Sequence, residues 1–426
     1  MKRQITPVIL FVFVDLLGYS LFLPLLPYYA ENLGATPSLV GLLVASNALA
    51  QLIAAPIVGR LSDRIGRRPL IIFSVVGTIV SFVLLGLVEP LATLIASGAS
   101  SGTRYEMAAI GLLFFTRALD GLAGGNASLA RAYITDVTDE EERARGLGLI
   151  GAAFGLGFII GPALGGFMSN WGLATSAFAT LGLSRYAVPA FAAAGLAVLN
   201  LIGVVLRLPE SLSPERRAEL AHSPRTAFRG QLMWEALKRP KFNTLLSTRF
   251  LYSVAFTVFT ANFALYTQYQ LELADRATSY ILAYVGVLVV LVQGLAIGRL
   301  TARYTEKILV FGASVLLGVT LLAWSFVSNV ALLLVILAPL ALSGGVLNTV
   351  TNSALTKSVY PEEVGGALGL SEALNSLARV IAPAAGGYFI EWLGPPSLGI
   401  VGAVIMVVVI VLVWRRMLAV SETSFV

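Results

Sequence analysis

Apolar residues fall along this chain in long runs separated by short polar stretches. Runs at 5–29, 38–59, 69–89, 107–134, 145–169, 187–206, 243–270, 277–297, 307–327, 330–352, 364–391 and 396–417 each hold the roughly 20 residues a helix needs to cross about 30 Å of hydrocarbon. They predict twelve transmembrane helices. The first run carries Asp15 and prolines and lacks a small-residue cleavage pattern, so it reads as a mature helix. The polar stretch 207–242 divides the runs six and six. The expected organisation is an N-terminal six-helix bundle over 1–206, a linker over 207–242 and a C-terminal six-helix bundle over 243–426.

Charge orients this pattern. With both termini cytoplasmic, the outside loops hold only Arg104, Arg185 and Arg276, and Arg117, Arg131, Arg249 and Arg379 lie within runs. The rest of the 29 basic residues then fall on the cytoplasmic side, as the positive-inside rule requires. A hydrophobic content of 57% and a mean hydropathy of +0.85 fit an all-α membrane protein and no soluble class. The net charge of +6 therefore marks loops facing a lipid bilayer, and no nucleic-acid partner is implied. The linker is read either as solvated or as short basic interfacial helices.

Several chemistries drop out. With no cysteine there is no thiolate, disulfide or Cys-ligated zinc. The single histidine, His222, sits in the charged linker and reads as a solvated loop residue, so no metal site is expected. No phosphate-binding glycine loop is present, which argues against an ATP-driven pump, and no serine–histidine triad can form. Neither an enzyme nor a cofactor is expected.

Two text repeats relate the halves. GRLSDRIGRR at 59–68 returns as GRLTARYTEK at 298–307, and GPALGG at 161–166 returns as APAAGG at 382–387. In the first, Gly59 and Gly66 allow a tight turn, Pro69 suits a helix start, and Asp63 and Arg67 are spaced to pair on one helical face. Arg64 and Arg68 can anchor to anionic headgroups. In the fifth run Gly157, Gly161 and Gly165 recur every four residues, with Gly151 and Gly155 as a second small stripe, and Pro162 bends the helix. Close packing against another helix follows.

Charges inside runs are costly enough to suggest function. Asp15 shares a face with Tyr19 and Phe22 and has no partner in its own helix. Arg117 and Asp120 stand at i and i+3, a static ion pair or a titrating one, and Glu372, Asn375 and Arg379 form a polar stripe in the eleventh run. Arg249, early in the seventh run, reads as snorkelling to the interface. Polar candidates for a substrate cavity are Asn47, Gln51, Asn262, Asn348 and Asn352. Tyr252, Phe256 and Phe259 form an aromatic stripe that serves either packing or an amphipathic ligand.

GRLSDRIGRRPL, the segment ARAYITDVTDEEERARGLGLIGAAFGLGFIIGPALGG at 130–166 and DLLGYSLFLPLLPYY at 15–29 together resemble the major facilitator superfamily, within it the twelve-helix drug:proton antiporters, tetracycline exporters above all. The resemblance implies two pseudo-symmetric bundles and a latch of Asp63, Arg67 and the acid Asp136, with Gly59, Arg64, Gly66 and Arg68 in the same motif. It also implies an antiporter motif at Gly157, Gly161, Pro162, Gly165 and Gly166. Ala302 and Glu306 replace the acid and Arg67 in the second repeat, so a matching latch there is expected to be degraded. Ser81 stands where the tetracycline exporters carry an acid in helix three, and helix nine lacks theirs, which sets this chain's proton route apart.

The expectation is a monomeric secondary transporter in the bacterial cytoplasmic (inner) membrane. It would export a small lipophilic or amphipathic molecule in exchange for protons, with Asp15, Arg117, Asp120, Glu372 and Arg379 handling proton or substrate charge. A symporter or facilitator for a metabolite or lipid-like substrate, and a receptor or scaffold on the same fold, are the alternatives.

Overall fold

The computed structural model describes residues 5–169, 182–213, 215, 217, 235, 237–360 and 363–418; His222 and most of the linker lie outside them. Regular structure among the described residues is helical throughout. The first half runs α1 (Ile5–Phe22), α2 (Leu26–Asn32), α3 (Pro37–Ile65), α4 (Arg67–Gly86), α5 (Val88–Ile95), α6 (Thr103–Ala123), α7 (Asn126–Val137), α8 (Glu140–Met168) and α9 (Ala187–Arg207). The second runs α10 (Pro240–Leu271), α11 (Asp275–Leu291), a π turn (Val292–Ala296), α12 (Ile297–Arg303), α13 (Glu306–Trp324), α14 (Val330–Thr356), α15 (Val364–Leu393) and α16 (Pro396–Val413), the last followed by a π turn (Trp414–Leu418).

Local chemistry sets the boundaries. Thr36 caps α3 by accepting from Leu39 N, with Pro37 at the first helical position. Asp139 and Asn329 cap α8 and α14 in the same way. Pro24 stops α1 and Pro27 opens α2, so the first apolar run is a broken helix. Gly124 and Gly125 break the fourth run between α6 and α7.

The chain divides into two compact units, Met1–Pro224 with Leu273–Gly286, and Arg225–Glu272 with Val287–Val426. In unit one α1 packs on α8 and α9, α4 on α9 and α6, and α3 on α6. In unit two α10 packs on α15 and α16, and α13 on α14 and α16. The first run thus pairs with the fifth and sixth and the third with the fourth and sixth. The seventh and ninth repeat that pattern six runs later. Val8, Phe11, Ile71, Tyr133 and Val204 are buried at the core of unit one, and Phe242, Leu245 and Leu355 in unit two. Large side chains such as Phe73, Leu206, Val335 and Val404 are instead turned outward, an apolar exterior suited to hydrocarbon.

Among the described residues eleven helical stretches are long and apolar enough to cross a membrane. The helix Val364–Leu393 is not one of them: its 30 residues suffice in length, but Glu372, Asn375 and Arg379 lie in a glycine-rich run and lower its hydropathy.

Candidate functional site

Gly66 makes the turn between α3 and α4 with φ of +116°, a conformation that only glycine adopts freely. Gly59 does not share that role: α3 continues to Ile65, because one glycine among good helix formers costs only about 1 kcal/mol. Directly after the turn, Arg67 Nη1 lies 2.7 Å from Asp63 Oδ1 and its Nε 2.9 Å from Asp136 Oδ2. Nη1 also donates to Ser62 Oγ at 2.5 Å. Arg67 and Asp63 are buried, so one guanidinium bridges two carboxylates and its single charge offsets only one of them. Arg64 is exposed.

Two further groups complete this cluster. Glu210, just past α9, accepts from Arg67 N at 2.8 Å and Arg68 N at 3.1 Å and so caps α4, and Arg68 Nη2 donates to Val205 O at 2.7 Å. Ser211 Oγ donates to Asp136 Oδ2 at 3.1 Å. Sequence reading missed both residues. The available signal was that α4 follows a glycine and has no capping side chain of its own.

Deeper in unit one, Asn126 Nδ2 donates to Asp15 Oδ1 at 2.6 Å. Asn126 opens α7 just after the glycine break, so the break aims its amide at α1. No cation pairs with Asp15 among the described residues. Asp120 is held differently: Arg117 Nη1 lies 3.6 Å from its Oδ2, and Asn47 Nδ2 donates to the same oxygen at 3.0 Å. Asn47 also reaches Arg117 O at 3.1 Å, and Gln51 Nε2 reaches Gly124 O at 2.7 Å. Asn47 therefore ties α3 to α6, and Gln51 ties it to the α6–α7 break. Arg117 stacks 5.7 Å from the centroid of Phe82. Ser81, in place of the acid that the resemblance led one to look for, donates to Thr116 O at 2.8 Å. Tyr19 is partly exposed, whereas Phe22 is buried edge-on against Tyr29.

The glycine series of α8 faces α1. A Cβ at Gly157 would stand 3.1 Å from Leu16 Cβ, at Gly161 it would overlap Ser20 Oγ, and at Gly165 Leu21 O. One turn beyond Pro162, Gly166 meets Ser279 Cβ of α11 at 2.6 Å on the same measure. The segment Leu273–Gly286 is further tied into unit one by Tyr28, whose hydroxyl bonds Leu273 O at 3.0 Å and Thr278 Oγ1 at 2.7 Å. Arg185 adds an ion pair 3.4 Å from the buried Asp275. Gly151, by contrast, has open space around it.

In unit two the seventh-run aromatics pack. Phe259 is buried between Phe263 and Trp324, and the Tyr252 hydroxyl donates to Gly344 O at 2.9 Å; Phe256 lies against Gly344 and is partly exposed. Asn262 is buried, spanning from Val258 O to Ala382 O of α15 at 3.0 and 3.4 Å. Asn348 is exposed and Asn352 partly so. Glu372 and Arg379 are about half-exposed and meet loosely at 4.0 Å. Arg249 corrects the snorkelling expectation: it is buried, held by Ser371, Asn348 and Thr351, because its face of α10 is turned to α14 and α15 and away from the interface. The second repeat does carry a latch-like pair, Lys357 Nζ at 2.7 Å from Glu306 Oε1.

The model of the Major Facilitator Superfamily matches residues 8–304 and again 245–423. The chain is 30% identical over 379 residues to the tetracycline resistance protein, class C, of Escherichia coli, covering 87% of this chain and 86% of that one. It is 28% identical over 408 residues to human solute carrier family 67 member A1, covering 92% and 87%. A crystal structure of a bacterial homologue of the human lysosomal transporter Spinster superposes with a TM-score of 0.76 at 12% identity, over 99% of this chain and all of that one. With a family match on both halves and the charged, helix-lined units described above, this integral membrane chain belongs to the Major Facilitator Superfamily and is a transporter of small molecules, not an enzyme.

Proposed function

We propose that this transporter exports small lipophilic or amphipathic compounds in exchange for protons. The observation that carries the reading is Asp15: a carboxylate within a membrane-spanning helix, bonded to the neutral amide of Asn126 and to no cation among the described residues. Lacking a fixed counter-charge, it can change protonation as its surroundings alternate, whereas Asp120 already has Arg117 beside it. Similarity to a tetracycline resistance protein and the small-residue contact of α8 with α1 support export as the direction.

In this reading α15 also crosses the membrane, as the eleventh of twelve spans, and both termini are cytoplasmic, with bundles over 1–206 and 243–426 joined by a linker over 207–242. The Asp63–Arg67–Asp136 cluster then faces the cytoplasm as a latch that opens and closes with the cycle. The protein works as a monomer in a bacterial cytoplasmic membrane. Arg117, Glu372 and Arg379 tune charge along the path.

Everted vesicles bearing the protein test this. A pH-gradient change on adding a lipophilic drug, abolished by Asp15→Asn, is expected. Transport that persists in full with an uncoupler present would sink proton antiport and favour a facilitator.

A further inference from the structure

Arg249 stands apart from the other buried arginines. Arg67 meets two carboxylates and Arg117 one. Arg249 is 6% exposed, yet every group that it touches is neutral: Nε donates to Ser371 Oγ at 2.5 Å, and Nη1 reaches Asn348 O, Asn348 Oδ1 and Thr351 Oγ1, each at 3.4 Å. No carboxylate lies within ion-pair distance among the described residues. The charge of Glu372, beside Ser371, acts on Arg249 from beyond ion-pair distance, but that carboxylate is half-exposed and meets Arg379 at 4.0 Å.

A guanidinium stays charged at any physiological pH, and a buried cation without an anion is costly. Its Nη2 donates to no described residue but is not sealed in, and Asn348, on the same edge, is exposed. Tyr252 and Phe256 follow Arg249 at i+3 and i+7, on the same face of α10, with ring centroids 5.8 Å apart. A fixed cation therefore adjoins a pair of rings, of which Tyr252 is buried and Phe256 partly exposed.

We infer that Arg249 is an anion-recognition site, taking the carboxylate of an amphipathic organic anion whose apolar body lies along the partly exposed Phe256, beside the buried Tyr252. The neutral acceptors hold the guanidinium in place without neutralising it, which leaves its charge for the ligand. This deepens the export reading and rests on it for the ligand being cargo.

Equilibrium binding to the purified full-length protein tests it with two radiolabelled probes of one apolar body, 1-naphthylacetate and 1-naphthylacetamide. The wild type should bind the carboxylate at least tenfold tighter than the amide, and Arg249→Gln should make the two equal. Asn348→Asp, which places an internal carboxylate beside Nη1, should also abolish the preference, and it serves if Arg249→Gln does not fold. Equal affinities in the wild type, or a preference untouched by Asn348→Asp, would overturn the inference. Proton coupling is read separately from the vesicle pH gradient: its absence with the binding preference intact removes the export reading alone, and equal affinities with coupling intact remove this inference alone.

Discussion

Lys357 and Glu306 form in unit two the pair that Asp136 and Arg67 form in unit one, with the charges exchanged. Arg67 opens α4 after GRLSDRIG and meets Asp136 near the end of α7; Glu306 opens α13 after GRLTARYT and meets Lys357 just past α14. The distances are alike, 2.9 and 2.7 Å, but the settings are not: the Arg67 side chain is 6% exposed and that of Lys357 67%.

Unequal consequences follow. Arg67→Ala leaves Asp63 buried without its cation and should cost about 3–5 kcal/mol. Glu306→Ala or Lys357→Ala breaks a solvated pair and should cost at most about 1 kcal/mol. Thermal unfolding of the purified variants measures both. The exchange Glu306→Lys with Lys357→Glu should restore whatever either single change loses.

The α8 glycines give a second contrast. Gly161→Ala and Gly165→Ala push a methyl into Ser20 and the backbone of Leu21, so each should destabilise by roughly 1–3 kcal/mol. Gly151→Ala meets nothing within 4 Å and should stabilise by up to about 1 kcal/mol through helix propensity. Equal shifts in melting temperature at 151 and 165 would contradict the close contact of α8 with α1.

Much of this arrangement is readable from the sequence, and the limits have physical causes. Asp63 and Arg67 are legible because they stand one helical turn apart, whereas Asp136, far off in the chain, is reached only through the family resemblance. The Glu306–Lys357 pair is not legible, because residue identity is compared position by position, whereas a pair survives when both ends swap sign. Arg249 was placed at the interface because a one-dimensional run does not say which face of a helix turns inward. Asn126 and Glu210 act across more than a hundred residues, on Asp15 and on the start of α4. The aromatic stripe is ambiguous in one dimension because the ring that packs on Phe259, Trp324, comes from another helix.

Glu363 supplies a pH dependence outside the spans. Arg239 donates to both of its carboxylate oxygens, at 2.6 and 2.9 Å, and these hydrogen bonds hold its pKa below the ordinary 4.5. A carboxylate depressed on folding stabilises the protein above its unfolded-state pKa, and that contribution fades as pH falls through the folded-state value. Melting temperature should therefore drop as pH is lowered below about 4.5, an unperturbed glutamate's range. Glu363→Gln should lack that part of the drop while being less stable at neutral pH. Superimposable profiles for the two proteins would show the pair to be inert.

Asp15 and Asp120 should separate coupling from stability. Asp15→Asn keeps an oxygen for the Asn126 amide and strands no cation, so the variant should fold with a loss of no more than about 1 kcal/mol. Asp120→Asn removes the only carboxylate beside the buried Arg117 among the described residues and should cost about 3 kcal/mol or more. Drug-dependent proton movement in vesicles, normalised to folded protein, should vanish with Asp15→Asn. With Asp120→Asn the loss should follow the amount of folded protein, since Asp120 acts by holding Arg117 and the Asn47 amide in place. A proton signal that survives Asp15→Asn but disappears in folded Asp120→Asn would reverse the two roles and move the proton site one helix over, to the Arg117 pair.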